Sequence, residues 1–142
     1  MNHEYSAAAN PKASQSGTRV DCAAWLSDGF VHSGVYAVTS TEDGVQKEVW
    51  CDQTTDGGGW TVISRVVDGS TNFDRNTSEY IGGFGNAYGD YWLGLEAAHN
   101  VSSAQSHQLR VVLTNCEAET KFVQYDTAEA SNEFALHAHT VY

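Results

Sequence analysis

Apolar and polar residues alternate along much of the chain after residue 20, and this period of two predicts strands. A first hairpin is expected from strands at 33–38 and 45–51, because the turn residues Glu42, Asp43 and Gly44 separate them. Further stretches combine alternation with β-branched or aromatic residues and predict strands at 60–67, 108–115, 121–127 and 134–139.

The sequence contains few segments that predict a helix, and each of them is short. Asp21 stands where a helix N-cap is expected and Gly29 supplies a stop, so a helix is predicted at 22–26. A helical turn is also expected at 78–80, and a short helix at 94–99. Because strands dominate, the pattern predicts the α+β class: a small helix-plus-hairpin unit, followed by a mostly antiparallel central sheet with short helices.

Residues 1–20 are small and polar without any such pattern, and a disordered N-terminal tail is predicted there. They also lack the apolar segment of a signal peptide. A secretion signal would therefore lie upstream, or the sequence is a fragment or splice form. The remaining residues, 21–142, amount to one domain, which stops at Tyr142 in strand-like sequence.

The net charge of the chain disfavours some classes of binding partner. Eighteen Asp and Glu residues against seven Lys and Arg give a net charge of −11. So acidic a surface repels nucleic-acid phosphates and anionic bilayers, and no apolar run approaches the roughly 18–20 residues of a membrane span. The acidity is typical of a soluble secreted domain, with attraction of Ca²⁺ as the alternative.

The sequence offers little chemistry for catalysis. Gly57, Gly58 and Gly59 precede a predicted strand instead of a helix, so we expect them to permit positive φ and close packing under an indole, not to bind phosphate. His137 and His139 share a predicted strand face, but without a third ligand, exposed or packed histidines are favoured over a metal site. Since a nucleophile elbow is also missing, we expect a protein that is not an enzyme.

Three cysteines do not make an even disulfide framework. A bond between Cys22 and Cys51 would close a loop of about 30 residues and contribute roughly 3–4 kcal/mol by chain entropy. Cys116 follows a predicted strand and has no evident mate. A buried small hydrophobe is favoured there, with a free reactive thiol or an intermolecular disulfide as the alternative.

Two triplets fit the acceptor pattern for N-glycosylation, at Asn76 and at Asn100. Both lie in stretches that are predicted to be polar surface. Use of at least one of them is therefore a hypothesis that the sequence supports.

A series of short motifs, in order and without large gaps, runs from about residue 21 to the end. They include Val49-Trp50-Cys51-Asp52, Asp56-Gly57-Gly58-Gly59-Trp60, Phe73-Asp74-Arg75, Gly83-Phe84-Gly85-Asn86 and Tyr91-Trp92-Leu93-Gly94. Together these residues resemble the fibrinogen C-terminal, or fibrinogen-related, domain family.

The resemblance implies a secreted binding domain, like those of fibrinogen chains, ficolins, tachylectin-like lectins, angiopoietins and tenascins. Cys22 and Cys51 fall on the family's first disulfide. The subdomains would be a disulfide-bonded unit at 21–59 and a central sheet at 60–142. The implied function is recognition of acetylated glycans or of a receptor, in innate defence or adhesion. The alternative is a truncated structural or assembly element with no ligand site of its own, which would favour a homo-oligomer.

The chain also departs from the family pattern. It stops before the family's calcium loop and second cysteine pair, so the resemblance places the calcium site and ligand pocket beyond Tyr142 and implies no cofactor within the chain. Cys116 stands where relatives usually have another residue. Thr77 replaces a common aromatic residue, and that replacement creates the triplet at Asn76.

Overall fold

The computed structural model describes residues 17–40, 43–103 and 105–128. Antiparallel strands and short helices alternate along these residues, which confirms the α+β class. The helices are α1 (Cys22–Ser27), α2 (Thr77–Gly82) and α3 (Leu95–Ser103). The strands are β1 (Gly34–Thr39), β2 (Gln46–Asp52), β3 (Trp60–Thr61), β4 (Ser64–Arg65), β5 (Phe84–Gly85), β6 (Tyr91–Trp92), β7 (His107–Thr114) and β8 (Thr120–Ala128).

Helix α1 begins where the sequence predicts it. The Ala24 amide donates a hydrogen bond of 2.8 Å to Asp21 Oδ1, which makes Asp21 the N-cap. Trp25 turns its fully buried ring into the core and donates from Nε1 to the Ala37 carbonyl at 2.8 Å. The ring of Phe30 packs edge-on against it at 4.8 Å between centroids. The short helix α1 thereby packs against the first sheet.

The first sheet has the strand order β1-β2-β3, and all its pairs are antiparallel. Cys22 in α1 and Cys51 in β2 form a disulfide with 5.4 Å between their Cα atoms, and both are fully buried. The expected bond is therefore confirmed. It ties the helix to the middle strand of the sheet.

The prediction of one strand at 60–67 is wrong. β3 pairs with β2, whereas β4 pairs with β6 in a second sheet of order β4-β6-β5. The break lies at Val62, whose carbonyl accepts a hydrogen bond from the buried Tyr91 hydroxyl. That hydroxyl in turn accepts from the Trp50 amide at 2.9 Å. Because the Tyr91 hydroxyl binds both of these backbone groups, the chain leaves the first sheet at Val62 and continues into the second sheet.

The first sheet also extends past the predicted subdomain boundary, because it includes Trp60–Thr61. The division into 21–59 and 60–142 stays a prediction. The core is continuous across both sheets: Tyr36, Val38 and Val49 from the first sheet belong to the same buried cluster as Tyr91 of β6 and Val101 of α3.

The Trp60 indole folds back on the Gly-rich turn, where its Nε1 donates to the Thr55 carbonyl at 2.8 Å, and backbone segments also pack against the glycines. Gly57, Gly58 and Gly59 all have positive φ, as predicted. A Cβ at Gly58 would lie 2.3 Å from the Gln53 carbonyl oxygen, and one at Gly59 would lie 3.3 Å from the Ala23 Cα. The glycines therefore allow close approach of the β2 end and of α1, because these backbone segments occupy the space that a side chain would need.

The helices after the turn are longer than predicted. α2 extends the expected turn at 78–80 to Thr77–Gly82, because Asn76 and Glu79 form a reciprocal capping box. α3 extends to Ser103 and buries Ala97, Ala98 and Val101.

Strands β7 and β8 form the predicted second hairpin, with a turn at 115–119. Cys116 lies in this turn as an exposed free thiol, so the expectation of a buried small hydrophobe is wrong. The sequence pattern missed this because Asn115 ends the strand: its side-chain Oδ1 accepts from the amides of Glu117 and Glu119, both at 2.9 Å. Residues 1–16 of the predicted tail lie outside the described residues, as does the predicted strand at 134–139, whereas Arg19 is bound to the first sheet, since its carbonyl accepts from the Thr39 amide at 2.9 Å.

Candidate recognition surface

One face of the β7–β8 hairpin is an apolar stripe. Leu109 pairs with Tyr125, Val111 with Val123, and Leu113 with Lys121. Side chains two residues apart share a face of a strand, so these residues form one side of the ribbon. Leu109 and Val111 are buried against the body of the protein.

The outer half of this stripe is open to solvent. Leu113 is 66% exposed, Val123 53% and Tyr125 42%. We call these three residues the hairpin surface. Exposed charged side chains lie beside it: Glu117 and Glu119 in the turn, and Lys121, which pairs with Leu113 on the same face. The arrangement is an apolar stripe with a charged rim, which is a pattern found at protein-binding sites.

The opposite face of the hairpin is fixed by Arg110. Its guanidinium carbon lies 3.7 Å from the ring centroid of Phe122 and 5.7 Å from that of Trp60. Its Nη1 donates to Gln124 Oε1 at 2.9 Å and reaches Asp56 Oδ2 at 3.4 Å. Arg110 thus joins the hairpin to the Gly-rich turn, which holds the hairpin surface in place.

A second contact fixes the start of β7. His107 Nε2 donates to Asp21 Oδ2 at 3.1 Å, and Gln105 Nε2 donates to the same oxygen at 2.7 Å. The hydrogen bond to Asp21 raises the pKa of His107 above its ordinary value. Burial alone would raise the pKa of Asp21, but the hydrogen bonds from His107 and the Ala24 amide outweigh it and lower that pKa. The cap of α1 and the hairpin therefore share one carboxylate.

Sequence reasoning missed both of these contacts. Arg110 was a charged residue inside an apolar strand pattern, which could have signalled a buried cation. Asp56 lies 54 positions earlier, and no local pattern links the two. A further buried carboxylate, Asp90, was also missed. The backbone N–H of Val67 is the main cause that lowers its pKa, together with the amides of Asp68 and Thr71.

The predicted site residues lie apart from one another. Cys22 and Cys51 are in the core, Cys116 is at the hairpin turn, and Asn76 precedes α2. Asn100 lies on α3, where Nδ2 donates to the Thr39 carbonyl at 3.2 Å. His137 and His139 fall outside the described residues. The structure does not bring these residues together into one centre.

The part of the chain that the structure describes offers neither a metal cluster nor a membrane-spanning helix. Within it, no group of three or more His, Cys, Asp or Glu residues is placed to hold a metal ion. Nor does any helix there have the length and apolar character needed to cross a membrane.

Known proteins match this chain both in sequence and in fold. The family model for the C-terminal globular domain of fibrinogen beta and gamma chains matches residues 18–141. Angiopoietin-1 of Canis lupus familiaris is 41% identical over 113 residues, which are 80% of this chain and 23% of that protein. Fibrinogen-like protein 1 of Rattus norvegicus is 39% identical over 116 residues, or 80% of this chain and 37% of that protein.

Solved structures agree with these matches. The fibrinogen-like globe domain of human ANGPTL6 superposes with a TM-score of 0.77 and 38% identity, over 82% of this chain and 52% of that one. Lamprey fibrin D-dimer, in complex with the peptide Gly-His-Arg-Pro-amide, gives a TM-score of 0.72 and 32% identity, over 84% and 38%. The chain thus spans about half of the ANGPTL6 globe.

Proposed function

The chain belongs to the fibrinogen C-terminal domain family, and from this premise we propose that it is an extracellular recognition module that binds a protein partner. The observation that carries the proposal is the hairpin surface. Leu113, Val123 and Tyr125 present apolar area on a ribbon that two residues join to the rest of the fold: His107 contacts Asp21, and Arg110 contacts Asp56 and the Trp60 ring. A rigid, exposed apolar stripe suits binding because little ordering entropy is lost on association.

The charge of the chain indicates what the partner looks like. The carboxylates of Glu117 and Glu119 lie in the turn next to the hairpin surface, and the net charge of the chain is −11. A complementary partner has an apolar patch bordered by lysine or arginine. Within the family, lamprey fibrin D-dimer offers a precedent for a peptide ligand that contains arginine.

A panel of purified receptor ectodomains, measured by surface plasmon resonance, tests the proposal. We expect saturable binding of the wild type and about tenfold weaker binding of Val123→Ser, because central apolar contacts dominate interfaces. Val45→Ser is the matched control, since Val45 is 56% exposed on the first hairpin, away from the hairpin surface. Its affinity should stay that of the wild type. Equal losses in both variants, or no bound ectodomain at all, would contradict the proposal.

Recognition of acetylated glycans in innate defence or adhesion is the alternative that the family suggests. Retention of the chain on an acetylated carbohydrate resin, measured with and without Ca²⁺, separates the two ligand classes. Retention that does not change in Val123→Ser would favour the glycan and assign the hairpin surface another role.

The exposed thiol of Cys116 favours a second candidate function, an assembly element. It lies at the hairpin turn, where a disulfide to another chain meets little steric hindrance. Gel migration of the oxidised protein without reductant should then show a dimer band that Cys116→Ser removes. A single monomer band in the wild type would contradict covalent assembly.

A further inference from the structure

The two candidate glycosylation triplets have the same sequence pattern, but in the structure they differ in exposure and in hydrogen bonding. Asn76, Thr77 and Ser78 are all exposed. Asn76 Oδ1 accepts the Glu79 amide at 2.9 Å, and the Asn76 amide donates to Glu79 Oε2 at 3.1 Å. Both contacts use atoms other than Nδ2. Among the described residues none accepts a hydrogen bond from that nitrogen, so it faces solvent.

The triplet at Asn100 is built into the fold. Asn100 lies inside α3, and its Nδ2 donates to the Thr39 carbonyl at the end of β1. The next residue, Val101, is buried in the core, and Ser102 Oγ donates to the His99 carbonyl at 3.2 Å. A sugar on this nitrogen would occupy space between α3 and the first sheet, where the protein already packs.

We propose that Asn76 is an N-glycosylation site and that Asn100 remains unmodified in the folded protein. The inference rests on the proposed extracellular function, since the modification requires entry into the secretory pathway. The free Nδ2, the exposed triplet and its Ser78 hydroxyl supply what the Asn-x-Ser acceptor pattern requires. The contrast with Asn100 comes from packing, since the two triplets share the same pattern.

The co-substrate is an oligosaccharide that is linked to a lipid diphosphate. A bond forms between Asn76 Nδ2 and the anomeric carbon of the first sugar, while the bond from that carbon to the diphosphate oxygen breaks. The lipid diphosphate leaves with the electron pair, and one Nδ2 proton passes to a base of the transferase. No oxidation or reduction occurs. Because Oδ1 does not take part, the cap on α2 survives the modification.

Matched variants distinguish the role of Asn76 in the glycosylation triplet from its role as the N-cap of α2. Ser78→Ala destroys the acceptor triplet but leaves Asn76 as the cap. Asn76→Asp also prevents modification, and aspartate is as good an N-cap as asparagine. Ser102→Ala removes the second triplet alone. All three positions are at least partly exposed, so each variant should fold.

The full chain, behind a cleavable secretion leader, is translated in the presence of microsomes, and only the protease-protected fraction is analysed. We expect one glycan on the wild type and on Ser102→Ala, seen as a single mobility step that an N-glycosidase removes. Ser78→Ala and Asn76→Asp should lose the step. A protected wild-type chain without the step, or a step that persists in Ser78→Ala, would overturn the inference.

The inference and the proposed function can fail separately. A glycosylated chain that binds no ectodomain contradicts the proposed function alone. An unmodified chain that binds through the hairpin surface contradicts only the assignment of Asn76.

Discussion

Arg110 shows how a single buried cation can position a surface. Its side chain is 9% exposed beside the rings of Phe122 and Trp60, and its Nε is buried with no hydrogen-bond partner in the described part of the chain. Its ion pair with Asp56 is weak support, because Asp56 is largely exposed and water screens the attraction. Stacking on Phe122 and the hydrogen bond to Gln124 therefore connect Arg110 to β8, and its contact with the Trp60 ring connects the hairpin to β3.

Replacing Arg110 should accordingly cost more than removing its ionic partner. Arg110→Lys loses the planar stack and the Gln124 geometry, and we expect it to lower the free energy of unfolding by about 1–2 kcal/mol. Asp56→Asn should change it by less than about 0.5 kcal/mol. Urea unfolding of the two variants beside the wild type measures both. Equal effects would show that the ion pair contributes as much as the stack and the Gln124 hydrogen bond together.

His107 gives the protein a pH-dependent contact. Its Nε2 faces the Asp21 carboxylate and its Nδ1 faces the Gln105 carbonyl at 2.7 Å, so both ring nitrogens meet acceptors and the imidazolium is favoured. The pKa of His107 is therefore raised in the folded state above the ordinary 6.5, mainly by the hydrogen bond to Asp21. A raised pKa contributes stability that is complete below pH 6.5 and is lost as the pH rises through the folded value.

We expect the free energy of unfolding to fall as the pH rises above 6.5, and His107→Gln to remove that dependence because glutamine keeps a donor but does not titrate. His32→Gln is the control, since His32 is exposed and uses only its backbone carbonyl to bind Tyr36. Urea unfolding at several pH values measures the slope. A slope that survives in His107→Gln would assign it to another group.

At the scale of elements, the sequence predicted what local contacts determine. The hairpins β1–β2 and β7–β8 follow from alternation and a nearby turn, and α1 follows from its Asp21 cap. The split of 60–67 could not be predicted, because its cause is Tyr91, which lies 29 positions from Val62. The exposure of Cys116 was missed because it depends on the geometry of the turn. The environment of Arg110 was missed because its partners are distant in the sequence.

The junction between the first two sheets depends on the Tyr91 hydroxyl. Tyr91→Phe would leave the Trp50 amide and the Val62 carbonyl without their partner at a buried position. We expect a loss of about 2–3 kcal/mol in the free energy of unfolding, because buried backbone groups without partners are costly. Tyr88→Phe, at a residue that is 59% exposed, should have almost no effect. A mild effect of Tyr91→Phe in urea unfolding would mean that water replaces the hydroxyl.

For the whole molecule, the described residues form one core with a ribbon that extends beyond it. Helix α1, the disulfide and both small sheets share buried side chains, whereas β8 pairs only with β7 among the described strands. An unpaired strand edge beside exposed apolar residues favours association with other chains. The high negative charge opposes it, since acidic surfaces repel each other.

We predict that the apolar contact prevails over this repulsion once salt screens the charges. At physiological ionic strength, where the Debye length is about 8 Å, sedimentation velocity should show an oligomer whose fraction rises with protein concentration. Val123→Glu adds a like charge to the hairpin surface and should restore the monomer, whereas Val45→Glu, similarly exposed on the first hairpin, should not. Cys116→Ser, included in every sample, excludes covalent dimers from the measurement. A concentration-independent monomer with one sharp thermal transition would show that the ribbon is stable in solvent by itself.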